Sequence, residues 1–148
     1  MPLKIVRYRG WVMEVDRPLT QLLYNNITVT DAEKCNCSNC SYFIEIKDRL
    51  YPLEIKQLFE DLGVDLAKEA ELTDYGNEEH LYGGCFQFAG KLISGKDCSI
   101  PVKNNQFIFE LEAITDSFEI GFSRRVSDTY FKATQVDLIE MVFMIRTR

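Results

Sequence analysis

The chain has 148 residues, 46% of them hydrophobic and 12% aromatic, which is enough to bury a core without staples and too apolar for a disordered segment. Its 17 basic and 23 acidic residues leave a net charge of -6, which repels a phosphate backbone and argues against nucleic acid as a partner. No apolar run reaches the ~18 to 20 residues that cross a bilayer, and Met1 to Arg7 holds no uninterrupted apolar signal region, so the expectation is one cytoplasmic domain over residues 1–148 with no membrane partner.

From the N-terminus, Leu3 to Val15 alternates in part as a half-buried strand does, and fits either two strands around Gly10 or one long bent strand. A short mixed stretch follows Arg17-Pro18. Asn25-Asn26 reads as a turn, and the β-branched run Ile27-Thr28-Val29-Thr30 as the next strand. After Cys35-Asn36-Cys37-Ser38-Asn39-Cys40 the hydrophobic period changes. Tyr42, Phe43, Ile46 and Leu50 fall at helical spacing, with Ser38 or Asn39 placed as an N-cap, which predicts a helix over about 38–50.

Pro52 ends that helix and suits the first turn of a second one over about 52–63. There Ile55, Leu58, Phe59 and Leu62 make a stripe at i, i+3, i+4 and i+7, and Gly63 is placed as the C-terminal cap. The rest reads as strands: Ala70 to Tyr75, Leu81 to Ile93, Gln106 to Ile114, Phe118 to Val126 and Leu138 to Arg146, separated by turn-rich stretches. Strands, two helices and then a run of strands predict an α+β fold, mostly antiparallel, with the helices packed on one face of the sheet. The adjacent Gly83 and Gly84 in an aromatic strand predict a bulge or a close backbone approach. The last strand, Leu138 to Ile145, is long and apolar, so it is expected either inside the sheet or in a homodimer contact.

One motif suggests specific chemistry. The five cysteines are an odd number, as expected of reduced thiols, and Cys35, Cys37 and Cys40 follow a C-x-C-x-x-C spacing. Cys35 and Cys37 on an extended segment face the same side, and Cys40 at a helix start turns back toward them, so three sulfurs converge on one metal ion, with zinc the candidate. A helix N-terminus also favours the thiolate that binds metal or reacts. Zinc wants a fourth ligand, for which Cys85, Cys98, His80 or a carboxylate is available. The same spacing occurs in the thiolate site of arsenic-sensing repressors, but the chain lacks the basic helix pair of a winged DNA reader. Cys37 to Cys40 is formally C-x-x-C, without the βαβ context of a thioredoxin-like site.

His80 is the sole histidine, which removes most triads and multi-histidine metal schemes. There is no phosphate loop, dinucleotide fingerprint or G-x-S-x-G turn. The thiol cluster, the segment Tyr51 to Asp65, Lys68-Glu69-Ala70-Glu71 and His80-Leu81-Tyr82-Gly83-Gly84 together resemble a family of small uncharacterised bacterial proteins, over residues 27 to 125. In that family the position of Cys85 is often a tryptophan. The resemblance implies a bacterial, cytoplasmic, single-domain protein and brings no activity with it. The reading is a non-enzymatic protein that binds a protein or small-molecule partner, with one metal ion at the thiol cluster. The alternative is a thiol-dependent redox enzyme or a metal or thiol sensor that uses Cys37 or Cys40.

Overall fold

The computed structural model describes residues 3–26, 44–46, 49–68, 71–74, 81–126 and 137–146. Strands β1 (Leu3–Tyr8) and β2 (Trp11–Asp16) form a hairpin through Arg9 and Gly10, with Arg9 at a φ of 50°. Helix α1 (Arg17–Asn25) follows without a break, because the Asp16 side chain accepts the Leu19 N–H at 3.1 Å and Pro18 occupies the first turn, where its missing N–H costs nothing. Helix α2 spans Leu53–Leu62. Then come β3 (Glu71–Asp74), β4 (Leu81–Ser94), β5 (Ser99–Pro101), a 3-10 turn at Lys103–Asn105, β6 (Phe107–Phe109), β7 (Glu112–Thr115), β8 (Phe118–Ser123) and β9 (Leu138–Arg146).

The fold is α+β. The main antiparallel sheet has the order β1-β2-β4-β9-β8-β7, with β3 also paired to β4, and β5 and β6 form a separate two-stranded ribbon. Strand β4 is its organiser. From Leu81 to Ala89 it pairs with β9, from Tyr82 to Cys85 with β3, and from Gly90 to Ser94 with β2. Since β9 occupies one edge of β4, β2 and β3 share the other and leave residues 86–89 between them. Helix α1 fills that gap: the Tyr24 hydroxyl donates to the Gln87 carbonyl at 2.7 Å, and the Thr20 hydroxyl accepts the Ala89 N–H at 3.0 Å. Both side chains are buried, one helical turn apart, and they satisfy main-chain groups that no strand reaches.

The sheet curls strongly. Trp11 on β2 packs edge-on against Phe122 on β8 at a centroid distance of 4.9 Å, although β4 and β9 separate their strands in the order. Arg9 in the β1–β2 turn also reaches Glu112 on β7, at 3.8 Å, so the two ends of the sheet approach one another there. Helix α2 lies along β1, pinned by Lys4–Asp61 at 3.7 Å and Arg9–Glu54 at 2.9 Å. Its Ile55, Leu58, Phe59 and Leu62 are buried as the stripe requires, and Gly63 caps it at a φ of 81°. Phe59 and Phe86 meet at 4.9 Å, and Tyr51 packs among Phe59, Phe86, Phe118 and Phe143. Burial of each such side chain stabilises by ~1.5 to 3 kcal/mol.

Several expectations change. The mixed stretch after Arg17-Pro18, to which the sequence assigns no element, is helix α1. Gln106 to Ile114 is broken at Glu110-Leu111 into β6 and β7, which belong to different sheets. Gly83 and Gly84 sit in uninterrupted ladders with both β3 and β9; the bulge lies instead where β4 meets β2, with a register shift between Val12 and Met13. Strand β9 is paired on both sides, to β4 and β8, so it is the internal strand and offers no edge for a dimer. Of the expected helix 38–50, residues 44–46 and 49–50 are helical, while 38–43, 47–48 and the expected strand at Ile27 to Thr30 lie outside the described residues. No helix of the described residues is long and apolar enough to cross a membrane.

Candidate functional site

Cys35, Cys37, Cys40 and His80 lie outside the described residues. The two remaining cysteines, Cys85 and Cys98, are both buried. Among the described residues, no group of three or more His, Cys, Asp and Glu side chains is arranged to hold a metal ion.

Cys85 and Cys98 share the face of the sheet opposite α2. Cys85 on β4 stands opposite Val142 on β9, and Val142 stands opposite Gly121 on β8. Cys98 covers Gly121 so closely that a Cβ there would meet the Cys98 Cβ at 2.5 Å and its Sγ at 2.9 Å. Its main chain is fixed too: the Cys98 N–H donates to the Phe122 carbonyl at 2.8 Å, and its carbonyl accepts the Glu110 N–H at 2.9 Å.

Burial first, and then the carboxylate of Asp97, push the Cys98 thiol up to about 12. A thiol in that state is a poor nucleophile and a poor metal ligand, since both roles need the thiolate. The folded protein keeps this proton while the unfolded chain releases it near 9.0, so the stabilisation is present below about 9 and is lost as the pH rises toward 12. Melting temperature should therefore fall across that window, and Cys98→Ala should flatten the fall. An unchanged slope in the variant would remove Cys98 from the alkaline transition.

Beside the cysteines, one register position along, runs a polar row that the alternation of β4 and β9 hides in the sequence. Gln87, Glu140 and Ser123 stand opposite one another on β4, β9 and β8, with exposures of 0%, 3% and 0%. The Gln87 amide donates to Glu140 Oε1 at 3.2 Å, and Ser123 Oγ accepts the Arg125 N–H at 3.0 Å. Such a row fixes strand register, because a slip by one residue would bring apolar side chains to these polar positions. The available signal was the pair of polar residues, Gln87 and Glu140, inside otherwise apolar strands.

Several basic side chains are paired with acids. Lys4 pairs with Asp61, Arg124 with Asp97, and Arg9 with Glu54 and Glu112. Arg9 also donates to the Tyr8 hydroxyl, and that hydroxyl donates to Glu54. Partial burial, together with the Glu54 carboxylate, pushes Tyr8 up to about 12; the bonds from Tyr8 and Arg9 lower Glu54.

Among the described residues, two clefts can be placed. One of about 330 Å³ lies between α1 and α2, lined by Arg17, Gln21, Glu60 and Asp65; Arg17 there donates to the Glu60 carbonyl at 2.7 Å. The other, of about 370 Å³, lies beside the β2–β4 switch and is lined by Glu14, Asp16, Lys91 and Asp137. Neither lining includes a cysteine or histidine, so the described thiols open onto neither cleft. No known protein family, curated protein or solved structure matches the chain.

Proposed function

We propose that the chain is a non-enzymatic binding or interaction protein of the bacterial cytoplasm, carrying one zinc ion on Cys35, Cys37 and Cys40. The observation that supports binding over thiol chemistry at the described cysteines is their burial. Cys85 and Cys98 are 4% and 1% exposed, and burial pushes the Cys98 thiol up. Chemistry therefore concentrates on the cluster at Cys35, Cys37 and Cys40, whose spacing suits a soft metal ion. Cys98 is a weak choice for the fourth ligand, since burial opposes the thiolate that zinc requires. Cys85, His80 and a carboxylate stay in place as choices for that ligand.

Native mass spectrometry with elemental analysis tests the reading. One zinc per chain is expected, and a chelator should lower the melting temperature in the wild type but not in Cys37→Ser. Protein purified under reducing conditions without metal, with no chelator response and with a thiol titrating below about 7, would replace the metal by a reactive Cys37 or Cys40. That outcome is the thiol-dependent enzyme or sensor.

A further inference from the structure

β5 and β6 form a ribbon of their own, and the apolar side chains of β6 face solvent: Phe107, Ile108 and Phe109 are 37%, 51% and 47% exposed. An exposed apolar strip rimmed by charge marks an interaction surface, and the sign of the charge narrows the partner. The Arg125 guanidinium lies over the Phe107 ring, 4.0 Å from its centroid, and Lys103 begins the turn that joins the two strands. Neither cation has a carboxylate partner among the described residues. The neighbouring acids are already paired: Glu110 bonds Lys96 at 2.9 Å, and Asp97 pairs with Arg124 at 3.8 Å. The ribbon is therefore a basic site on a chain whose net charge is -6.

Its main chain is set to receive a strand. The Val102 N–H donates to the Gln106 carbonyl and the Glu110 N–H to the Cys98 carbonyl, both at 2.9 Å. Because bonded and non-bonded pairs alternate, Ile100 and Ile108 are bonded to each other, while Pro101/Phe107 and Ser99/Phe109 are non-bonded pairs. The N–H and C=O groups of Phe107 and Phe109 are therefore directed away from β5, to an edge that no strand of the described residues occupies. Phe107 and Phe109 share one face of the ribbon with the Arg125 guanidinium, and Ile108 lies on the other.

We propose that β6 takes an extended acidic segment of another protein as an added antiparallel strand. Residues of that segment opposite Phe107 and Phe109 exchange main-chain N–H···O bonds with them, and their side chains fall on the Arg125 face. A carboxylate there accepts from the Arg125 guanidinium, whose N–H groups lie in its own plane and not toward the ring it covers. The side chain opposite Ile108 lies on the other face and is apolar, so the partner alternates acidic and apolar residues. The two unpaired cations select this occupant over a second copy, which would bring its own Arg125 and Lys103 to the contact. The outward N–H and C=O groups select a strand over a lipid surface, which offers them no ladder. The inference rests on the binding-protein reading for its class of partner and uses none of the cysteines; its experiment reads peptide and not metal, so its failure would not bear on zinc.

Fluorescence anisotropy of the full chain with a short labelled peptide of alternating glutamate and valine tests it. The wild type should bind this peptide, more weakly as salt screens the contact, and should not bind the counterpart of alternating lysine and valine. A peptide of alternating glutamate and proline should not bind either, because proline lacks the N–H groups of an added strand. Arg125→Gln should weaken binding several-fold. Phe109→Pro, which removes an outward N–H that no bond to β5 uses, should abolish it, whereas Arg7→Gln, a cation on β1 outside the ribbon, should leave it unchanged. Unchanged melting temperatures in Arg125→Gln and Phe109→Pro would show that a lost contact is not a lost fold. Absence of binding at peptide concentrations of about 1 mM overturns the proposal, as does binding that survives both ribbon substitutions or that the lysine or proline peptide matches. Vesicles of anionic phospholipid that bind where the peptide does not overturn it too, and give the ribbon a membrane surface as its occupant. Self-association that Phe109→Pro abolishes, in a chain that binds no peptide, overturns it in favour of a second copy.

Discussion

Phe59→Ala should destabilise the protein by ~3 to 5 kcal/mol, with Leu58→Ala close behind at ~2 to 5 kcal/mol, whereas Leu53→Ala on the same helix should be nearly silent. Phe59 is 2% exposed and Leu58 3%, while Leu53 is 71% exposed. The Phe59 ring meets Phe86 at 4.9 Å and Tyr51 at 5.7 Å, so truncation removes one member of the aromatic cluster that joins α2 to the sheet. The neighbouring rings belong to the central strands β4, β8 and β9 and to Tyr51, and backbone ladders hold those strands apart at a fixed spacing, so the cavity cannot collapse. Lys56→Ala should also be nearly silent. Chemical denaturation of the four variants checks this, and comparable losses in Phe59→Ala and Leu53→Ala would contradict the packing of α2 on the sheet.

Gly90→Ala should cost about 3 kcal/mol, the upper end of the overpacking range. Here β4 leaves α1 behind and begins to pair with β2, and a Cβ on residue 90 would lie 2.3 Å from the Glu14 carbonyl oxygen and 3.2 Å from the Val15 Cα. Both obstacles are main chain, so no side-chain rotation relieves the overlap and one strand must move. The loss should appear as faster amide exchange in β1 and β2 while β8 and β9 stay protected, because among the described residues the backbone ladder that joins the hairpin to the sheet is the one between β2 and β4. Gly10→Ala is the control, since nothing lies within 4 Å of a Cβ at that position. Equal losses at the two glycines would mean that the switch point is not what Gly90 serves.

Elements with local signals were legible in the residues alone. The stripe of Ile55, Leu58, Phe59 and Leu62 with Gly63 behind it is a periodic pattern closed by a cap, and it matches α2 almost to the residue. Strands β3, β4, β8 and β9 were legible as apolar runs between turn residues, and with them the α+β class. Helix α1 escaped because Pro18 reads equally as a stop and as a first-turn residue; the Asp16 cap decides between them, and its bond to Leu19 is a fact of conformation.

Which residues sit beside one another follows from packing between distant segments. Thr20 and Tyr24 are ordinary helix residues until a gap between two strands puts the main chain of Gln87 and Ala89 in front of them. Gly83-Gly84 is a conspicuous sequence feature with regular pairing, while the close contact falls at Gly90, whose obstacle comes from a strand some seventy-five residues earlier. Glu140 looks like a charge that blunts an apolar edge, and it is buried beside Gln87 because β9 is central. Residue pattern fixes which side chains alternate, but strand order depends on pairings distant in the chain, and those decide whether an apolar strand is a core or an edge.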